Sequence, residues 1–140
     1  MSMESISSQF VIKNALLASK LAKRVGNHLS MHGISLSEYL VMHHLEHSPN
    51  KAVARIELAE HIGMSASGVT RLIAPMEKNH IIEKVANPRD ARQSLVKLSE
   101  VGQRLYADAR ISFEQISAEQ TSALSLNQQE KILEFYTKLI

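Results

Sequence analysis

The stretch from Ile56 to Met76, I-E-L-A-E-H-I-G-M-S-A-S-G-V-T-R-L-I-A-P-M, constrains the fold more than any other part of the chain. Ile56, Leu58, Ala59 and Ile62 mark a short helix over 55–62. Gly63 stops it, at a position where a left-handed backbone is expected. Ser65 then caps a second helix, whose Val69, Leu72, Ile73 and Met76 form one apolar stripe. Two short helices joined by so tight a turn must cross, and Ala59 is small where the crossing falls. This is the spacing of a helix-turn-helix, whose second helix fits the DNA major groove. Many helical hairpins share part of the pattern.

The flanking segments extend the reading. Gln9 to His28 reads as a helix, with Phe10, Ala15, Leu16, Leu17, Leu21 and Val25 at helical spacing. Its other side carries Lys13, Lys20, Lys23 and Arg24. Ser35 caps a further helix, and Glu38 completes a capping box. Leu36, Tyr39, Leu40, His43 and His44 fall near one face, and Ser48-Pro49-Asn50 ends the helix. Ile81 to Ala86 and Gln93 to Leu98 read as strands flanking the tip Asn87-Pro88-Arg89-Asp90-Ala91. Ser99 to Ile116 and Leu126 to Ile140 read as helices. The predicted fold is mainly α (α+β): a winged helix-turn-helix with a two-stranded wing, flanked by N- and C-terminal dimerisation helices. The predicted division is 1–34, 35–98 and 99–140. The outer helices carry more apolar surface than an isolated helix keeps in water, so they pack on one another, within one chain or between two.

Composition removes several function classes. The chain has 140 residues, 44% of them apolar and 21% charged, enough for a core and too little charge for disorder. It has no cysteine, which excludes a disulfide, a thiol nucleophile and a thiolate zinc site. No apolar run reaches the length of a membrane span, and Met1 to Phe10 does not read as a signal peptide. A cytoplasmic protein is expected. The net charge is only +2, but residues 51–110 hold ten Lys and Arg against seven Asp and Glu. Residues 111–140 hold two against four. The middle is the better candidate for contact with a polyanion.

The hairpin carries a further pattern. Asp90, Arg92, Val96, Leu98 and Ser99 stand in the register of the wing motif of the MarR family (multiple-antibiotic-resistance regulators), which this sequence resembles. The preceding run Glu77 to Lys84, and G-I-S-L-S-E-Y from Gly33 to Tyr39, look like the family's entry to the wing and the start of its second helix. The resemblance spans about the whole chain. The chain departs from the family at His80, where Gly is usual, and at Lys84, where Arg is usual and Lys lacks the bidentate fork. Asn79 is expected to supply the left-handed cap in place of that Gly. Pro75 lies inside the second helix of the motif and removes the donor to Arg71.

The candidate DNA-binding residues follow from the helix face opposite the stripe. Beside the capping Ser65, this face shows Ser67, Thr70, Arg71, Ala74 and Lys78. Ser67 and Thr70 suit base edges or phosphates, Arg71 a guanine, Ala74 a thymine methyl and Lys78 a phosphate. The resemblance implies that Asp90 and Arg92 pair to brace the wing while an arginine enters the minor groove. Arg89, at the tip, is equally free to do so. The resemblance also implies a repressor on double-stranded DNA, acting as a homodimer and released by a small aromatic or phenolic effector. His28, His32, Tyr39 and His43 are the candidate polar groups of such a pocket.

Five of the seven histidines lie between His28 and His47. His43 and His47 are one turn apart and are the candidate pair for a metal, which leaves a zinc-responsive regulator as an alternative. His43-His44-Leu45-Glu46-His47 also fits H-x-x-E-H, a zinc-peptidase string, although the chain is short for a second catalytic lobe. No enzyme activity and no cofactor are expected. The remaining alternative is a helical protein-interaction module that does not bind DNA.

Overall fold

The computed structural model describes residues 3–140; Met1 and Ser2, assigned above to the N-terminal segment, lie outside them. Helix α1 spans Ile6–Leu29, with Ser5 accepting a hydrogen bond from the Ser8 amide. It starts three residues before the expected start at Gln9. A turn of 3-10 helix, Ser30–His32, ends at Gly33 in the left-handed region. Helix α2, Leu36–His47, opens with the expected capping box between Ser35 and Glu38. Strand β1, Ala52–Ala54, follows and was not anticipated. Helices α3, Arg55–Ile62, and α4, Ala66–Lys78, are joined through Gly63 at φ 69°. Strands β2, Ile82–Ala86, and β3, Ser94–Leu98, form the wing. Helix α5 covers Glu100–Gln120, running four residues past the expected end at Ile116, and α6 covers Leu126–Tyr136, ending four residues before the expected Ile140.

The sheet has the order β1-β3-β2, with both pairings antiparallel. Val53 faces Val96 across β1 and β3, and both are buried. Three residues are too few to show a period of two, so β1 leaves no alternation in the sequence. It exists because β3 offers it a ladder.

Helix α2 is the centre of the molecule and packs on α1, α3, α4, α5 and β3. Its buried residues are Tyr39, Val41, Met42 and Leu45, whereas Leu40 and His43 are exposed. The single face expected for this helix is therefore corrected. A helix surrounded by neighbours is apolar on several sides, and its periodicity no longer marks one face. Leu29, Leu58, Val69, Ile73 and Met76 complete the core around it.

The turn from α4 into β2 corrects a second expectation. Asn79 has φ −89°, and it is His80 that takes the left-handed conformation, at φ 60°. The amide of Ile81 reaches back to the carbonyl of Met76 at 2.9 Å, so the residue between must carry the reversal. Histidine tolerates this region better than branched residues do. The His80 carbonyl then accepts from Ser99 Oγ, which also caps α5 through the Gly102 amide.

Helix α6 behaves differently. None of its residues is buried. A hydrogen bond from the Tyr136 hydroxyl to Asn14 Oδ1, 2.9 Å, ties it to α1. Phe10 and Leu17 on α1, with Ile132 and Phe135 on α6, leave an apolar surface open to water.

Candidate nucleic-acid interface

Helix α4 buries Val69, Ile73 and Met76 and turns Ser67, Thr70, Arg71, Ala74 and Lys78 outward. All five are exposed, as is Ser65 at the cap. The helix runs through Pro75 to Lys78. Not every polar group on this face is free. Ser65 Oγ accepts the Gly68 amide at 3.0 Å and lies 3.3 Å from Ser67 Oγ. Thr70 Oγ1 donates to the Ala66 carbonyl at 3.0 Å. Arg71 and Lys78 have no side-chain partner among the described residues. The face thus presents two free cations, short hydroxyls and one methyl, a set suited to groove edges and phosphates.

The wing tip is built by local hydrogen bonds. Asn87 Oδ1 accepts the Arg89 amide at 2.9 Å, and Asp90 Oδ1 accepts the Arg92 amide at 3.0 Å. These side-chain-to-backbone bonds fix the turn without glycine. Asp90 also meets Arg92 Nε at 3.4 Å, while the Arg92 side chain stays 94% exposed. The Arg89 side chain makes no polar contact among the described residues. Both guanidinium groups are therefore presented to solvent, one braced and one not.

Among the described residues, the four candidate effector residues are held by separate contacts. His32 Nε2 lies 2.7 Å from Ser112 Oγ on α5. Tyr39 is 2% exposed and stacks on Phe113 with ring centres 4.2 Å apart. Burial, with Tyr106 beside it, pushes the Tyr39 hydroxyl well above its ordinary pKa. His43 stacks on His47 at 4.3 Å. His28 has a buried Nε2 with no hydrogen-bond partner among the described residues. A cleft of about 640 Å³ opens elsewhere, between His44, Pro49, Val53, Glu57, Arg89 and Leu95. Its walls come from segments far apart in sequence, so no local motif announces it.

The histidine cluster is arranged for stacking. His44 of α2 stacks on His61 of α3 at 3.7 Å, which joins the two helices. Loss of solvent and the neighbouring imidazoles hold His43 and His44 below the usual histidine pKa. His47 Nδ1 lies 2.8 Å from the His43 carbonyl, and Glu46 pairs with Lys51 at 3.0 Å. Among the described residues no three His, Asp or Glu side chains converge to hold a metal ion. The H-x-x-E-H string thus has its glutamate turned to a lysine, and its two outer imidazoles lie against each other.

Sequence reasoning missed a second charged cluster, Arg55, Glu77 and Lys84, at the junction of α3, α4 and β2. Its members are up to 29 positions apart in the numbering, and only the fold brings them together.

Residues 34–94 match the family model described as the MarR family. No curated protein matches the sequence. The fold is that of solved MarR regulators. A mutant of MarR from E. coli complexed with operator DNA aligns with TM-score 0.80 at 17% identity, covering 98% of this chain and 99% of that one. A MarR family transcriptional regulator from Streptomyces coelicolor in complex with DNA gives TM-score 0.84 at 19% identity, covering 99% and 89%. A probable transcriptional regulator from Pseudomonas aeruginosa gives 0.75 at 22% identity, with 98% of both chains covered. Proteins of the matched family are transcription regulators rather than enzymes. No helix among the described residues is long and apolar enough to cross a membrane.

Proposed function

We propose, from the MarR-type segment at residues 34–94 and the MarR fold around it, that this chain is a sequence-specific regulator of transcription that binds double-stranded DNA as a homodimer in the cytoplasm. The observation that carries the reading is the outward face of α4, with Arg71 and Lys78 unpartnered, beside a wing whose tip presents Arg89 and Arg92. In the DNA-bound relatives named above the same fold is seen with DNA. Helix α4 then reads base edges in the major groove through Arg71 and Ala74, with Ser65, Ser67, Thr70 and Lys78 on phosphates or base edges. Asp90 holds Arg92 while an arginine of the wing enters the minor groove.

One such helix reads few base pairs. The open apolar surface of α1 and α6 supports a two-fold dimer, which reads a palindrome with half-sites about one helical turn apart. Residues 1–34 and 99–140 are the dimerisation segments in this reading, and 35–98 the DNA-binding domain. A repressor released by a small aromatic or phenolic effector is the finer form of the proposal. His28, His32, Tyr39 and His43 are the polar groups proposed for it; each is held by separate contacts in the free chain, and the support for them is the buried nitrogen of His28, unpartnered among the described residues. An effector placed there competes with the Tyr39–Phe113 stack.

The test is selection of bound duplexes from a random DNA pool, then titration at two salt concentrations. An enriched palindrome, with affinity falling steeply in salt, is the expected result. No enrichment from the pool refutes the sequence-specific reading and leaves the fold in service of protein contacts.

A further inference from the structure

Glu77 occupies the last turn of α4, where a carboxylate meets the negative end of the helix dipole. Local helix chemistry therefore opposes a glutamate here, and two cations from other elements offset the cost. Its Oε1 lies 2.9 Å from Arg55 Nη2, on the first residue of α3. Its Oε2 lies 3.7 Å from Lys84 Nζ, in the middle of β2 opposite Val96. The two oxygens thus serve two elements, and neither is spare. The side chain of Glu77 is 25% exposed and that of Arg55 35%. Arg55 Nε is buried without a partner, so the Glu77 carboxylate is the anion that fixes this guanidinium among the described residues.

We propose that Glu77 is a positioning residue for DNA reading: it sets the angle between α4 and the wing, and it keeps Arg55 and Lys84 off the DNA backbone. The inference rests on the DNA-binding reading above. Specific binding requires α4 and the wing to meet two grooves at once, and the carboxylate ties both elements to α3. A lysine released beside the wing gains a phosphate contact, which adds affinity without sequence information. A mere surface ion pair is worth about 0–1 kcal/mol of stability and leaves discrimination unchanged.

The experiment uses the full chain with Glu77→Gln and, separately, Lys84→Met. Binding to the selected operator and to random duplex is measured at two salt concentrations, with the thermal midpoint as control. Glu77→Gln is expected to bind random DNA more tightly, with a salt slope steeper by about one. Lys84→Met removes a cation and is expected to bind random DNA no better than the parent. Both narrow the operator-to-random ratio, by roughly fivefold or more. Amide exchange without DNA is expected to quicken over 82–98 in both. An unchanged ratio in both variants overturns the positioning role. Equal losses on both DNAs that follow the thermal midpoint overturn it too, in favour of a structural pair. Failure of the parent protein to prefer any duplex is a different result, and it removes the DNA reading along with the proposal.

Discussion

The region from Ser35 to Ser99 and the pair α1–α6 solve the same problem in opposite ways. The first, with α5 and the C-terminal end of α1 packed on it, closes within one chain: Leu29, Leu45, Leu58, Val69, Ile73, Met76 and Val96 are all buried. The second does not. Leu133 and Phe135 are each 61% exposed, and Phe10 is 49% exposed. At about 25 cal/mol per Å² of apolar area, an aromatic side chain left in water forgoes roughly 2–3 kcal/mol. A lobe that reads a surface needs its own rigid core, whereas helices that stay open suit a second copy of the chain.

Charging the open region is the sharpest way to break this contrast. The double variant Leu133→Asp with Phe135→Asp is expected to weaken dimerisation by at least about 3 kcal/mol, roughly a hundredfold. Operator affinity falls with it, while the thermal midpoint of the lobe moves little. Sedimentation at micromolar concentration checks the first point. A parent protein that is already monomeric there removes the dimer.

The core is closely packed where α5 meets the chain just before β2. A Cβ built on Gly102 overlaps the backbone carbonyl of Ile81, which cannot swing away as a side chain does. Gly102→Ala is therefore expected to cost about 1–3 kcal/mol in urea unfolding, against the gain in helix propensity that Ala normally brings. Arg71→Ala tests the reading face: the operator is expected to lose about 1–3 kcal/mol and random DNA much less. Equal losses on both make Arg71 a phosphate contact.

The smallest effect concerns pH. The folded chain lowers the pKa of His43 and His44 from 6.5, first by partial loss of solvent, although His43 stays exposed by area and His44 is half-buried, and then through neighbouring imidazoles. The folded state therefore takes up these protons less readily than the unfolded state. Their contribution is complete above pH of about 6.5 and is lost as pH falls through the lowered folded values. A lower urea midpoint at pH near 5.5 than near 7.5 is expected. His44→Gln should shrink that difference, and an undiminished difference assigns it to other groups.

Local chemistry made much of the fold legible. Ser35 and Ser65 each cap the helix that follows, and Ser35 with Glu38 forms the capping box read from the sequence, whereas Ser99, read as the first residue of its helix, is that helix's cap. Gly63 is left-handed where the tight turn required it. Other features were not legible. Strand β1 is too short for a pattern, the buried side of α2 has no single period, and the left-handed residue after α4 is His80 rather than Asn79. Of the proposed sites, the outward face of α4 was readable because one strong stripe defines its opposite. The cleft beside Arg89 was not, since its walls come from segments distant in the chain.

The sequence by itself determined the order of helices, the turn at Gly63, the wing and the outward face of α4. Those depend on neighbours within a few residues, through capping bonds, backbone freedom and amphipathic spacing. Tertiary structure alone decided that β3 recruits β1, that His44 stacks on His61, and that Glu77 joins Arg55 to Lys84. Each of these pairs residues distant along the chain, and such contacts gain free energy only once the chain between them has been ordered by the core.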